Sequence, residues 1–82
     1  MQVLITRKAE KELDKLPDSI AWKIIEHLRK LGKEPFPANY KKLAGVENYR
    51  IRVGSYRAIY TVDKQKKIVT ILRVADRKMV YR

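Results

Sequence analysis

Residues 49–60 constrain this chain more than any other stretch. Two period-two runs, Tyr49-Arg50-Ile51-Arg52-Val53 and Tyr56-Arg57-Ala58-Ile59-Tyr60, meet at Gly54-Ser55. Gly followed by Ser suits a two-residue type II′ hairpin turn, because Gly tolerates the positive φ needed at the first central position. Such a turn sets the pairing: Val53 faces Tyr56, Arg52 faces Arg57, Ile51 faces Ala58, Arg50 faces Ile59 and Tyr49 faces Tyr60. Strand side chains alternate, so Tyr49, Ile51, Val53, Tyr56, Ala58 and Tyr60 share one face. Arg50, Arg52, Arg57 and Ile59 share the other.

That second face is unusual. Like charges directly opposite one another weaken a strand pair, and here Arg52 opposes Arg57 with Arg50 two residues away. On one reading the three guanidinium groups splay into solvent. On the other, a polyanion such as a phosphodiester backbone completes the site. Arginine suits that task because its planar fork donates two parallel hydrogen bonds to phosphate oxygens and stays charged at any working pH.

The charge of the whole chain points the same way. The formal net charge is +11 over 82 residues, and it is unevenly placed. Residues 1–40 hold eight Lys/Arg against six Asp/Glu, whereas residues 41–82 hold twelve against three. A basic field concentrated in one half favours an acidic partner, above all nucleic acid. A membrane surface fits less well, because the basic half reads as strands rather than as an amphipathic helix. The chain has no cysteine and a single histidine, so thiolate or histidine-rich metal sites are not expected, nor is a cofactor. No apolar run approaches the roughly 18 residues that span a bilayer, and no secretory leader is visible. The expectation is one cytoplasmic domain over residues 1–82.

In chain order, residues 1–5 read as a first strand. Thr6 is a candidate N-cap for a helix over residues 7–16, with Ala9, Leu13 and Leu16 toward the sheet. Pro17 opens a second helix ending near Leu31, with Gly32 as its stop. Ile20, Ile24, Leu28 and Leu31 form its apolar stripe. Trp22 and Ile25 lie off that stripe, which suggests packing on the first helix or a docking surface for a partner. His27, on the apolar side, reads as a packed or boundary residue rather than a catalyst. Residues 32–39 form an extended loop, and Lys41-Lys42 lead into the hairpin either as solvated loop residues or as RNA contacts. After a turn at residues 63–66, a third strand runs from Lys67 to about Val74. If that turn is symmetrical about Lys64-Gln65, Val69 and Ile71 join the core face, while Leu72 stands beside Arg57 and Thr70 beside Ile59. Residues 79–82 suggest a last edge strand. The order β-α-α-β-β-β(-β) predicts an α+β fold with two N-terminal helices packed on one face of an antiparallel sheet. The arginine face is expected to stay open to solvent as a concave surface.

The pattern Lys42-Leu43-x-Gly45-x-x-x-Tyr49-Arg50-Ile51-Arg52-Val53-Gly54-x-Tyr56-Arg57-x-x-Tyr60, followed by Val74-x-x-Arg77-x-x-Val80-Tyr81, resembles the RelE toxins of the RelE/ParE toxin–antitoxin superfamily. The resemblance covers essentially the whole chain. It implies a microbial ribonuclease-like fold and an mRNA interferase that enters the ribosomal A site and cuts the codon there. It further implies that Arg50 and Arg52 contact the scissile phosphate. Arg57 would stabilise charge on the pentacovalent phosphorane, Arg77 would assist the leaving 5′-oxygen, and Tyr81 would stack on the mRNA. Lys41, Lys42, Lys78 and Arg82 are the candidate RNA-binding residues around them. A RelB-like antitoxin is the implied partner, alongside the ribosome and its A-site mRNA.

The chemistry is consistent with those roles. RNA cleaves when its 2′-hydroxyl attacks the adjacent phosphate in line, giving a 2′,3′-cyclic phosphate and a 5′-hydroxyl, and no metal is needed. The enzyme must align the attack and neutralise charge growing on the phosphate oxygens. Arginines do the second task well, but a guanidinium with a pKa above ~12 is a poor proton acceptor. Arg50 and Arg52 stand where relatives often carry lysine. Asp76 stands where many carry histidine or another basic residue; it either orients Arg77 or accepts the proton, and Tyr81 is another candidate base. Two readings compete with the nuclease: a ParE-like inhibitor of DNA gyrase, whose chains generally lack this arginine and tyrosine set, and a non-catalytic RNA- or ribosome-binding module.

Overall fold

The structure, a computed structural model, describes residues 1–43 and 47–76. Strand β1 (Gln2–Ile5) leads into helices α1 (Arg7–Asp14) and α2 (Asp18–Lys30), followed by β2 (Lys41–Lys42), β3 (Tyr49–Val53), β4 (Tyr56–Asp63) and β5 (Ile68–Asp76). The five strands form one sheet in the order β1-β5-β4-β3-β2. The β2–β3, β3–β4 and β4–β5 pairs are antiparallel, as expected, but β1 runs parallel to β5. The sheet is therefore mixed, because the first strand returns beside the last one rather than beside the hairpin.

Each helix forms for a local reason. The Thr6 hydroxyl accepts the Ala9 N–H at 3.2 Å, capping α1, and Ala9 and Leu13 then fall on the buried side. Helix α1 ends at Asp14, two residues short of the expected bound, since Pro17 cannot continue it and becomes the N-cap of α2. From α2, Ile24 and Leu28 enter the core, joined by Leu31 at its C-cap. They meet Ile51, Val53, Ala58, Tyr60, Val69, Ile71 and Val74 on one face of the sheet.

Gly32 ends α2 for a reason of space. Its φ is not in the left-handed region. A Cβ there would lie 2.7 Å from the Met1 carbonyl oxygen, and the Met1 ammonium donates to the Gly32 carbonyl at 2.6 Å. Gly54 shows the opposite case. Its φ is +62°, and a Cβ added there would meet no atom within 4 Å, so the turn requires its backbone freedom alone. Ser55 has no positive φ, which matches type II′.

The loop after α2 is tied down by aromatic side chains. The Tyr60 hydroxyl donates to the Pro35 carbonyl at 2.7 Å. Phe36 packs edge-on against Tyr49 at 5.1 Å, and Tyr49 lies 5.8 Å from Tyr60. Burial, then the neighbouring Tyr40 and Tyr49, push the Tyr60 phenol well above its usual pKa. No helix among the described residues is long and apolar enough to cross a membrane. The edge strand expected at residues 79–82 lies outside the described residues.

Candidate nucleic-acid interface

The β3–β4 ladder has the anticipated register at all five pairs, from Val53↔Tyr56 to Tyr49↔Tyr60. Arg50, Arg52 and Arg57 therefore share the face opposite the helices. The face extends further than the hairpin. Lys41 pairs with Arg50 across β2–β3, and Arg73 pairs with Ile59 across β4–β5. One row across the sheet thus reads Lys41, Arg50, Ile59, Arg73. The next reads Arg52, Arg57, Ala75. At the usual strand spacing the longer row spans about 14 Å, which is room for successive phosphates of an extended single strand.

The middle of this face is not the open, wet surface that the alternation predicts. Arg57 is 4% exposed and Ile59 6%, because β4 is the central strand and side chains of β3 and β5 hem it in. Arg52 remains exposed and Arg50 half-buried. Arg57 still reaches a cleft of about 350 Å³ that it lines with Arg52, Gly54, Ser55 and Tyr56. A guanidinium cannot shed its proton, so Arg57 is a fixed positive charge at low local dielectric. An anion entering that cleft meets it together with Arg52. Asn39 supports the wall, its amide donating to the Arg52 carbonyl at 3.2 Å.

Other candidates fall elsewhere. Lys42 pairs with Tyr49, so it points to the opposite face from Lys41, and its Nζ lies 3.6 Å from Glu47 in a well-exposed ion pair. Asp76 closes β5 opposite Tyr56, on the alternate face from Arg57 by register. Arg77, Lys78, Tyr81 and Arg82 lie outside the described residues. His27 is half-buried at the side of a small cavity with Leu31, Pro37 and Ile51, a boundary position. Of the two residues off the main stripe, Ile25 packs against the core, whereas Trp22 is left largely to solvent. It is 66% exposed, beside a groove of about 210 Å³ formed with Leu13, Leu16, Ala21 and Ile25 and rimmed by Asp14 and Asp18. Among the described residues no cluster of three His, Asp or Glu side chains is placed to hold a metal ion.

The strand opposite the hairpin departs most from expectation. The loop occupies residues 64–67, with Lys66 N–H donating to Asp63 Oδ1 at 3.0 Å and Lys67 in a left-handed conformation (φ 57°). Val69 then faces Val62 and Ile71 faces Tyr60, two residues away from the symmetrical register. Between Ile59 and Tyr60 the ladder shifts again, leaving Leu72 as a bulge residue. Val69 and Ile71 do join the core, as expected. Arg73, not Thr70, stands beside Ile59. The spacing of the buried residues, 69, 71 and then 74, carries this signal: a strict period of two would have buried Arg73.

This arrangement has close relatives. Residues 3–81 match the family described as ParE toxin of type II toxin-antitoxin system, parDE. Toxin RelG of Mycobacterium tuberculosis is 34% identical over 98% of this chain and 94% of its own. The chain is a RelE-type toxin of the RelE/ParE superfamily. Its fold agrees in detail with that assignment. The M. tuberculosis toxin–antitoxin complex RelBE2 superposes with a TM-score of 0.84 at 33% identity, covering 93% of this chain and 96% of the other. The archaeal RelE–RelB complex from Pyrococcus horikoshii gives 0.83 at 32% identity, covering 96% and 97%. As a RelE-type protein it is the toxin of a type II toxin–antitoxin pair.

Proposed function

We propose that this RelE-type toxin is a metal-independent endoribonuclease that cuts mRNA in the ribosomal A site and so inhibits translation in the cytoplasm. The observation that carries this reading is the co-facial placement of Arg50, Arg52 and Arg57, with Arg57 buried at the edge of a cleft. Arg50 and Arg52 grip the scissile phosphate and hold the 2′-hydroxyl in line. Arg57 neutralises the charge that develops as the phosphorane forms, where a fixed cation stabilises the transition state more than the ground state. Arg77 serves the leaving 5′-oxygen and Tyr81 stacks on the mRNA. The Tyr60 phenol faces away from this surface and is held protonated, so it takes no part in proton transfer. Mapping RNA 5′ ends after brief induction, with and without ribosomes, tests the reading. Ribosome-dependent ends that vanish in Arg57→Ala support it; uncut mRNA with the parent protein overturns it.

A toxin of this kind is held in check by a RelB-like antitoxin, as the complexes of its structural relatives are built from RelE and RelB. The Trp22 groove is the apolar surface we assign to that antitoxin. Trp22→Ala should fold normally yet lose co-purification with it. The family description names ParE, which favours a second reading, inhibition of DNA gyrase. Supercoiling that proceeds unchanged in the presence of the purified toxin eliminates it.

A further inference from the structure

The bulge in β5 is held from outside its own sheet. The Thr6 N–H donates to the Ile71 carbonyl at 3.0 Å, and the Thr6 hydroxyl donates to the Leu72 carbonyl at 3.0 Å. One turn and a half further on, Glu12 completes the grip. Its Oε1 accepts the Val74 N–H and its Oε2 accepts from Arg73 Nη2, both at 3.0 Å. These contacts fill the edge of β5 beyond Ile71, where the pairing with β1 stops. The ion pair is no loose surface contact: the Glu12 side chain is 19% exposed and that of Arg73 35%.

The grip decides which residue joins the arginine face. With the bulge, Arg73 opposes Ile59 and Val74 opposes Ala58. Were the bulge to close, Leu72 would take the place beside Ile59 and Arg73 would be driven toward the core. A single-residue slip exchanges the two faces of a strand. Glu12 thus acts twice, on the backbone phase and on the guanidinium itself, which it holds at the end of the row Lys41, Arg50, Ile59, Arg73.

We infer that Arg73 is a further phosphate-binding residue of this face and that Glu12 is its positioning residue. The inference rests on the nucleic-acid reading given above and extends it to the β5 end of the sheet. Glu12 takes up one Nη2 hydrogen of Arg73, leaving the Nη1 group of the fork for a phosphate oxygen. The substrate strand then crosses the sheet from β2 to β5, perpendicular to the hairpin.

The test uses the full chain and a single-stranded oligodeoxynucleotide, which has no 2′-hydroxyl to attack and needs no ribosome. Its affinity is measured over a range of salt. Each phosphate contact with a single strand contributes about 0.7 to the slope of log K against log salt. Arg73→Ala should lower the slope by about that amount, whereas Arg29→Ala, an equal loss of charge on α2, should leave it unchanged. Glu12→Gln keeps an acceptor for Val74 N–H but gives up the charge that holds Arg73. It should weaken binding several-fold in the parent and not at all in the Arg73→Ala background. An unchanged slope in Arg73→Ala, equal weakening by Glu12→Gln in both backgrounds, or no binding by the parent overturns the inference. Cleavage is scored separately by 5′-end mapping, so a toxin that binds through Arg73 without cutting refutes the nuclease reading alone.

Discussion

Strand β4 is flanked by two ladders that keep their register by different means. On one side it meets β3 through five unbroken pairs that begin at Gly54-Ser55. On the other it meets β5 through a four-residue loop, a shift and a bulge. The first ladder is closed by a turn two residues long, so its register follows from local backbone geometry. The second is set by side chains far away in sequence: Thr6 and Leu72 are 66 positions apart, and Glu12 and Val74 are 62. Both ladders deliver cations to one face, yet the hairpin does so by itself and β5 does so only through α1.

The largest expected effect comes from the hairpin side. Arg57→Ala should reduce cleavage by about 10²-fold or more, as loss of a preorganised charge stabiliser does. Arg57→Lys should recover little, since a lysine lacks the planar fork. The measurement is the single-turnover rate on ribosome-bound mRNA. If both variants cut like the parent, the buried guanidinium is a structural feature of β4 rather than part of the site.

The next two effects compare the ladders directly. Glu12→Ala leaves the Val74 N–H without its acceptor and Arg73 without its counter-charge, which should cost about 1–3 kcal/mol. In a chain of this size that is a fall in Tm of about 4–8 °C per kcal/mol. Gly54→Ala should cost about 1–2 kcal/mol, the penalty for a left-handed non-glycine residue, with no steric clash to add. Amide exchange should separate them. Glu12→Ala should speed exchange at Arg73, Val74 and Ala75, and Gly54→Ala at Arg52, Val53 and Arg57. Identical exchange patterns would mean that the two ladders open as one unit and do not differ in what holds them.

The same contrast explains what is legible in the sequence. The hairpin register, the capped first helix and the face shared by Arg50, Arg52 and Arg57 all depend on short spacings, and each can be read directly. Strand β2 cannot, because two residues of lysine carry no alternation to recognise. Gly32 reads as a helix stop and does follow the C-cap Leu31, but the room it leaves for the Met1 carbonyl, 31 positions away, cannot be read from the sequence. A symmetrical turn at Lys64-Gln65 hides Arg73. Its sequence neighbours Val69, Ile71 and Val74 already break the period, and a charge at an inward position is sufficient reason to suspect a bulge. Trp22 illustrates a different limit. Its place off the main stripe is visible, but whether α1 or solvent covers that flank depends on the angle between two helices.

Tyr60 lies where the two ladders join, opposite Tyr49 on one side and Ile71 on the other, immediately after the shift at Ile59. Its hydroxyl is committed to the Pro35 carbonyl, so Tyr60→Phe should lose about 1 kcal/mol at neutral pH. The sharper expectation concerns alkaline pH. Burial raises the phenol above its unfolded value of about 10. The folded state thus holds the proton more tightly, and this contribution to stability is complete below that unfolded value. It is lost progressively as pH rises from about 10 toward the folded pKa. Tyr60→Phe should therefore lower stability slightly at neutral pH and flatten its decline above about pH 10, read from urea midpoints against pH. A parent and variant that decline in parallel would show that the folded state holds this proton no more tightly than the unfolded chain does.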